Sequence, residues 1–131
     1  MINKMERGLN MKILVVDDDA MITELLSTKL REIGHEVENA NDGWKALKML
    51  SNNQYDLLIT DLMMPEVSGV TLLSLLSSYV FGKMPVIIIS SLDQSTVVLS
   101  GMGLSAEDYF TKPINMELLL QRIDKLAVEE A

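Results

Sequence analysis

The stretch Ile13-Leu14-Val15-Val16 runs directly into Asp17-Asp18-Asp19. Such a short apolar run, bounded by polar residues, reads as a strand long enough to be buried, so the chain sets three carboxylates at one edge of a sheet. Two unit charges about 4 Å apart repel by roughly 4 kcal/mol at an effective dielectric of 20, and one nearby lysine offsets that only in part. Crowding of this kind calls for a cation, and oxygen ligands suit Mg²⁺. Three further segments end in functional residue types: Leu57-Leu58-Ile59-Thr60 before Asp61, Val86-Ile87-Ile88-Ile89 before Ser90, and Tyr109-Phe110-Thr111 before Lys112-Pro113.

Length and charge narrow the possibilities. A chain of 131 residues suits one domain, large enough to bury roughly two-thirds of its unfolded surface around a single core. With 19 acidic against 11 basic residues and a formal charge of −8, it would repel a phosphate backbone or an anionic membrane surface, so neither direct nucleic-acid binding nor membrane association is expected. The absence of cysteine rules out disulfides and thiolate metal sites, and fits a cytoplasmic location. No apolar run approaches the roughly 20 residues of a membrane span. Residues 1–10 lack the apolar core of a signal peptide and read as an N-terminal extension or alternative start, with the domain itself over residues 11–131.

Short β-branched runs alternate five times with segments whose apolar residues recur every three or four positions, which is a βα pattern. The first helix is expected over about residues 19–33, with Ile22, Leu25, Leu26, Leu30 and Ile33 buried and Gly34 as C-cap. A short strand near residues 36–39 and a helix over about 42–50 follow, the latter carrying Trp44 as surface packing. Val70, Leu73, Leu76 and Val80 give a third helix its buried stripe, and Pro85 suits the start of the fourth strand. The fourth helix, roughly residues 93–102, is weakened by Gly101 and bounded by Gly103, an interior glycine costing about 1 kcal/mol relative to alanine. Met116, Leu119, Leu120, Ile123 and Leu126 make the last helix amphipathic. His35 reads as a turn residue, and most of the ten methionines as core filler.

Alternating strands and helices imply a doubly wound α/β fold: a five-stranded parallel sheet with right-handed crossovers and helices on both faces. Ligands then belong at the carboxyl ends of the strands, where the topological switch point gathers residues distant in sequence. At that convergence the chain resembles the receiver domain of two-component response regulators. The resemblance covers about residues 11–127 and rests on Ile13-Leu-Val-Val-Asp-Asp-Asp19, Asp61-Leu-Met-Met-Pro-Glu-Val-Ser-Gly69, Pro85 to Ser90, and Lys112-Pro113.

That resemblance implies the flavodoxin-like strand order 2-1-3-4-5 and a set of roles. Asp61 would take a phosphoryl group from the phosphohistidine of a sensor kinase or phosphotransfer protein. Asp17, Asp18, Asp61 and the main-chain carbonyl of Met63 would hold Mg²⁺. Lys112 and Ser90 would contact phosphoryl oxygens, and Tyr109 would move as Ser90 shifts, switching the face made by the fourth helix, fifth strand and fifth helix toward an output domain or target protein. Such a protein is a phosphoacceptor and not an enzyme. Asp19, placed before a helix, reads as its cap. Met63 and Leu92, both apolar, would flank the approach of an attacking water and leave it unpositioned. The Ser105-Ala106 pair departs from the family, which often has glycine at the first of these positions.

Two other readings compete. A receiver-like module could act by interaction alone, without phosphorylation; its usual mark is a missing acid or lysine, and none is missing here. A haloacid-dehalogenase-like phosphatase could use Asp17, Asp19, Ser90 and Lys112, but leaves Asp61 without a role.

Overall fold

The computed structural model describes residues 10–64, 71, 74, 84–91 and 106–130. Within them run β1 (Lys12–Val16), α1 (Ala20–Ile33), β2 (Glu36–Ala40), α2 (Gly43–Asn52), β3 (Leu57–Asp61), β4 (Val86–Ser90), β5 (Asp108–Thr111) and α3 (Met116–Glu130), the last being the fifth helix of the expected series. All five strands pair in parallel in the order β2-β1-β3-β4-β5. The chain therefore reverses direction across the sheet at β1, between β2 and β3, and opens its crevice at the carboxyl ends of β1 and β3.

The period of two along each strand divides the core. Leu14, Val16, Leu58 and Ile88 pack on one face with Ala46 and Leu50 of α2. Ile13, Val15, Leu57, Ile59, Ile87 and Ile89 pack on the other with Leu26 and Leu30 of α1 and Leu119, Ile123 and Leu126 of α3. Both faces of the sheet are covered, which is why its central strands read as unbroken apolar runs.

Local chemistry fixes the ends of the helices. Asp19 caps α1, its side chain accepting from the Met21 N–H. Gly34 closes the helix with φ of 115°, and its N–H donates to the Leu30 and Arg31 carbonyls. That left-handed conformation is one only glycine adopts without steric cost. Asp42 caps α2 by accepting from the Lys45 N–H at 2.8 Å, and Trp44 is exposed as expected.

Two expectations about side chains need correction. Leu25 and Ile33 are 49% and 39% exposed rather than part of the buried stripe. Thr23 and Ser27 take their place beside Leu26 and Leu30. The hydroxyls are tolerated there because each is satisfied: Ser27 donates to the Asn39 side chain on β2, and Thr23 to the Ala20 carbonyl. His35 is likewise more than a turn residue. It is buried, and its Nδ1 accepts from the Met11 N–H at 2.9 Å. Among residues 65–83, Thr71 and Ser74 alone are described; both are helical and exposed, while the predicted stripe of Val70, Leu73, Leu76 and Val80 lies outside the described residues. So do Leu92, Gly101, Gly103 and the whole fourth helix.

Candidate functional site

Each residue of the site is held by the sheet before its side chain does any chemistry. Asp17 follows β1 directly, and its N–H donates to the Ala40 carbonyl at 3.2 Å, extending the β1–β2 ladder by one bond. Asp61 is the last residue of β3, paired in register with Ile89. Lys112 follows β5, and its N–H donates to the Ser90 carbonyl at 2.8 Å. Asp17, Asp61 and Ser90 are all buried, whereas Asp18 is exposed at the rim.

The side chains then converge. The Lys112 ammonium donates to Asp61 Oδ2 at 2.8 Å and stands 2.9 Å from Asp17 Oδ2. Asp61 Oδ1 accepts from the Met63 N–H at 3.0 Å, and Asp17 Oδ1 from the Asp19 N–H at 2.9 Å. One carboxylate oxygen from each of Asp17, Asp18 and Asp61 lies within 4.8 Å of the others. One ammonium thus bridges two carboxylates of a cluster of three. Burial pushes the Asp17 carboxyl above its ordinary range, the charge of Asp61 adding to the effect. Burial opposes the charge of Lys112, but its hydrogen bond to Asp61 and the close negative charges of Asp17 and Asp61 outweigh that and raise its pKa.

The cluster suits a divalent cation on its own geometry. Asp17 Oδ2 is buried and close to the Lys112 charge, yet no donor is directed at it; a buried carboxylate oxygen without a directed partner is costly and open to a ligand. Oxygens bound to Mg²⁺ at 2.0–2.1 Å stand about 2.9 Å apart in adjacent positions and about 4.2 Å apart across the ion. At most one pair of the three oxygens can stand across the ion, so from within 4.8 Å of one another they would draw together by up to roughly 2 Å on binding.

Asp17, Asp18, Asp61 and Lys112 therefore meet as the sequence predicts, and Ser90 joins them through its carbonyl bond to Lys112. Tyr109 sits apart, half-buried against the α2 side of the core, with its hydroxyl accepting from the Ala106 N–H at 2.8 Å. Asp19 has two duties, of which sequence reasoning found one. Its carboxylate caps α1, while its N–H orients Asp17, a bond that the tight Asp17-Asp18-Asp19 spacing alone could have suggested. Thr60 adds a bond invisible in the sequence, its hydroxyl donating to the Asp61 carbonyl at 3.0 Å. The phosphatase alternative fails on Asp19, because that reading needs in the pocket a carboxylate which here is exposed and committed to the Met21 N–H.

Known proteins agree with this geometry. The family described as "Response regulator receiver domain" matches residues 13–124. The response regulator MprA of Mycobacterium leprae is 37% identical over 116 residues, covering 88% of this chain and 50% of that protein, so the chain spans about half the length of the curated relatives it matches. Among solved structures, the receiver domain of the Francisella response regulator 1452 superposes with a TM-score of 0.84 at 36% identity, covering 93% of this chain and 100% of that one. The Thermotoga maritima response regulator TrrA, solved in complex with Mg²⁺ and BeF, gives a TM-score of 0.76 at 33% identity, covering 88% of this chain and 97% of its own. The sheet order, the acidic cluster and these similarities lead to one conclusion: the chain belongs to the response regulator receiver domain family.

Proposed function

We propose that Asp61 accepts a phosphoryl group from the phosphohistidine of a sensor kinase or phosphotransfer protein, and that the receiver occupies residues 11–131 behind a short extension. The observation that carries this reading is the position of Asp61. Among the described residues it is the carboxylate that receives a directed bond from Lys112 while also belonging to the acidic cluster. In the transfer, the N–P bond of the donor breaks as an Asp61 carboxylate oxygen bonds to phosphorus, and the imidazole leaves. Asp61 reacts as the carboxylate, so no general base is required.

Catalysis of such a step consists mainly of positioning and of neutralising charge on the equatorial oxygens. Lys112, whose raised pKa keeps it protonated, supplies one positive charge, and the Ser90 hydroxyl a hydrogen bond. Asp17, Asp18, Asp61 and the Met63 carbonyl would hold Mg²⁺, which supplies the rest of the neutralisation. Ser90 and Tyr109 then act as the switch, with the exposed side of β5 and α3 as the surface read by an output domain or target protein in the cytoplasm. The chain serves as phosphoacceptor and signalling element, not as an enzyme with a released product.

Intact mass spectrometry with acetyl phosphate tests the reading. One phosphoryl group should appear with Mg²⁺ present, and none on Asp61→Asn or on the native chain in EDTA. Equal phosphorylation of the variant would exclude Asp61 as acceptor, whereas no phosphorylation under any condition would favour a module that acts by interaction alone.

A further inference from the structure

Methionine is the only sulfur-containing residue type in this chain, and its side chains differ sharply in exposure. Met11 and Met64 are buried, and Met49, Met84 and Met116 are half-buried. Among the described residues, Met21 and Met63 stand out at 80% and 61% exposed. Exposed thioethers oxidise readily to sulfoxides, which turns an apolar side chain into a polar one.

Met63 is exposed beside the phosphoacceptor. Its N–H lies 3.0 Å from Asp61 Oδ1, and N to Cβ spans about 2.5 Å of covalent geometry, so its Cβ is within roughly 5.5 Å of that oxygen. The sulfur is two bonds further along a chain with three rotatable bonds. It can therefore sweep the solvent side of the Asp61 carboxylate, the side from which water must reach a phosphoryl group.

We propose that Met63 is a peroxide-modification site whose oxidation shortens the lifetime of the phosphoryl group on Asp61. The sulfur lone pair attacks one oxygen of hydrogen peroxide; an S–O bond forms as the O–O bond breaks, and the departing hydroxide takes the remaining proton to leave as water. Sulfur is oxidised and peroxide reduced. A thioether is only a weak acceptor, so Met63 leaves an incoming water unheld. The sulfoxide oxygen is a strong acceptor that can hold such a water beside the phosphorus. Met21, equally open to peroxide, sits in the first turn of α1 with its N–H bonded to Asp19, and its oxidation carries no such consequence. The lifetime effect rests on the phosphoacceptor reading; the order of oxidation does not.

The test begins with the untreated chain, acetyl phosphate and Mg²⁺. Failure to phosphorylate at this stage would overturn the phosphoacceptor reading and the lifetime effect together, before any peroxide is added. Peptide mass spectrometry after graded hydrogen peroxide should show sulfoxide, among the described methionines, at Met21 and Met63 first and at Met11 and Met64 last. After catalase treatment, phosphorylation and removal of the donor, the oxidised chain should lose its phosphoryl group roughly fivefold faster than the untreated one, about 1 kcal/mol off the barrier. Peroxide should produce no acceleration in Met63→Leu, measured against that variant's own untreated rate, and should still do so in Met21→Leu. Untreated Met63→Gln, whose carboxamide oxygen imitates the sulfoxide, should dephosphorylate faster than Met63→Leu. Unequal order, with Met64 oxidising before Met63, would remove the modification site. Equal lifetimes before and after oxidation, or an acceleration that survives in Met63→Leu, would remove its consequence.

Discussion

The two ends of the sheet carry similar residue types in opposite states. At the amino end, the polar groups are paired off. Lys12 lies 3.9 Å from Glu36 and 5.1 Å from the centre of the Tyr55 ring, and its N–H donates to Asp56 at 2.8 Å. Tyr55 donates to Glu38, and His35 accepts from the Met11 N–H. At the carboxyl end, Lys112 is shared between Asp17 and Asp61, and among the described residues Asp18 forms no salt bridge and Asp17 Oδ2 has no directed donor. Both ends are acidic, and at the carboxyl end a buried carboxylate oxygen is left without a directed hydrogen bond. A cluster that binds a ligand, as proposed for Asp61 and its neighbours, withholds partners that a purely structural cluster would have.

Removing a paired polar group should therefore destabilise the amino end, whereas neutralising the buried Asp17 at the carboxyl end should stabilise the chain. The largest loss is expected from His35→Ala, which strips the acceptor from the buried Met11 N–H and leaves a void; together these should cost on the order of 2–3 kcal/mol in urea unfolding. Asp17→Asn should raise the stability of the metal-free chain, because a carboxyl whose pKa is raised by burial is destabilising when charged. Mg²⁺ binding should weaken in the same variant. A destabilised Asp17→Asn, or an unaffected His35→Ala, would break the distinction between the ends.

The legible part of this chain is what repeats or clusters. The apolar runs of β1, β3 and β4 could be read because both their faces are covered, and the Asp19, Gly34 and Asp42 caps because their residue types serve few other purposes beside a helix. The site could be read because its members end successive strands. The buried face of α1 was misread at Leu25 because apolar spacing does not reveal that Thr23 and Ser27 find partners. His35 was misread for the same reason: its acceptor role depends on Met11, which lies 24 residues earlier in the chain. Long-range polar pairing leaves no period in the sequence.

A smaller pair of effects sharpens the comparison within the carboxyl end. Asp19→Ala should cost about 1 kcal/mol of stability through loss of the α1 cap, while its unchanged N–H still orients Asp17, so Mg²⁺ affinity should hold. Asp18→Ala should do the reverse, leaving thermal stability nearly unaltered and weakening Mg²⁺ binding as followed by calorimetry. Loss of Mg²⁺ binding in Asp19→Ala with retention in Asp18→Ala would show that the two carboxylates had been assigned the wrong way round.

The smallest effect at neutral pH, and the most diagnostic in alkali, belongs to Tyr55. Tyr55→Phe keeps the ring in the core cluster that also holds Leu50 and Leu58 and removes only the hydroxyl bond to Glu38, so it should cost roughly half a kcal/mol near pH 7. Burial raises the phenol pKa, and the Glu38 hydrogen bond and charge add to it. Its folded pKa thus exceeds the unfolded value of about 10. Above that pH the unfolded chain gives up the phenolic proton while the native chain keeps it, so the unfolded state binds fewer protons and stability falls as pH rises. Lys112, raised in the same direction, contributes a similar loss, but it is present in both proteins and cancels in the comparison. Urea unfolding at a series of pH values from about 8 upward should show the native chain losing stability more steeply than Tyr55→Phe, with the gap between them closing near pH ~10 and the order reversing above it. Parallel curves would mean that Tyr55 ionises as easily in the native chain as in the unfolded one, and that the amino end is less tightly paired than its hydrogen bonds indicate.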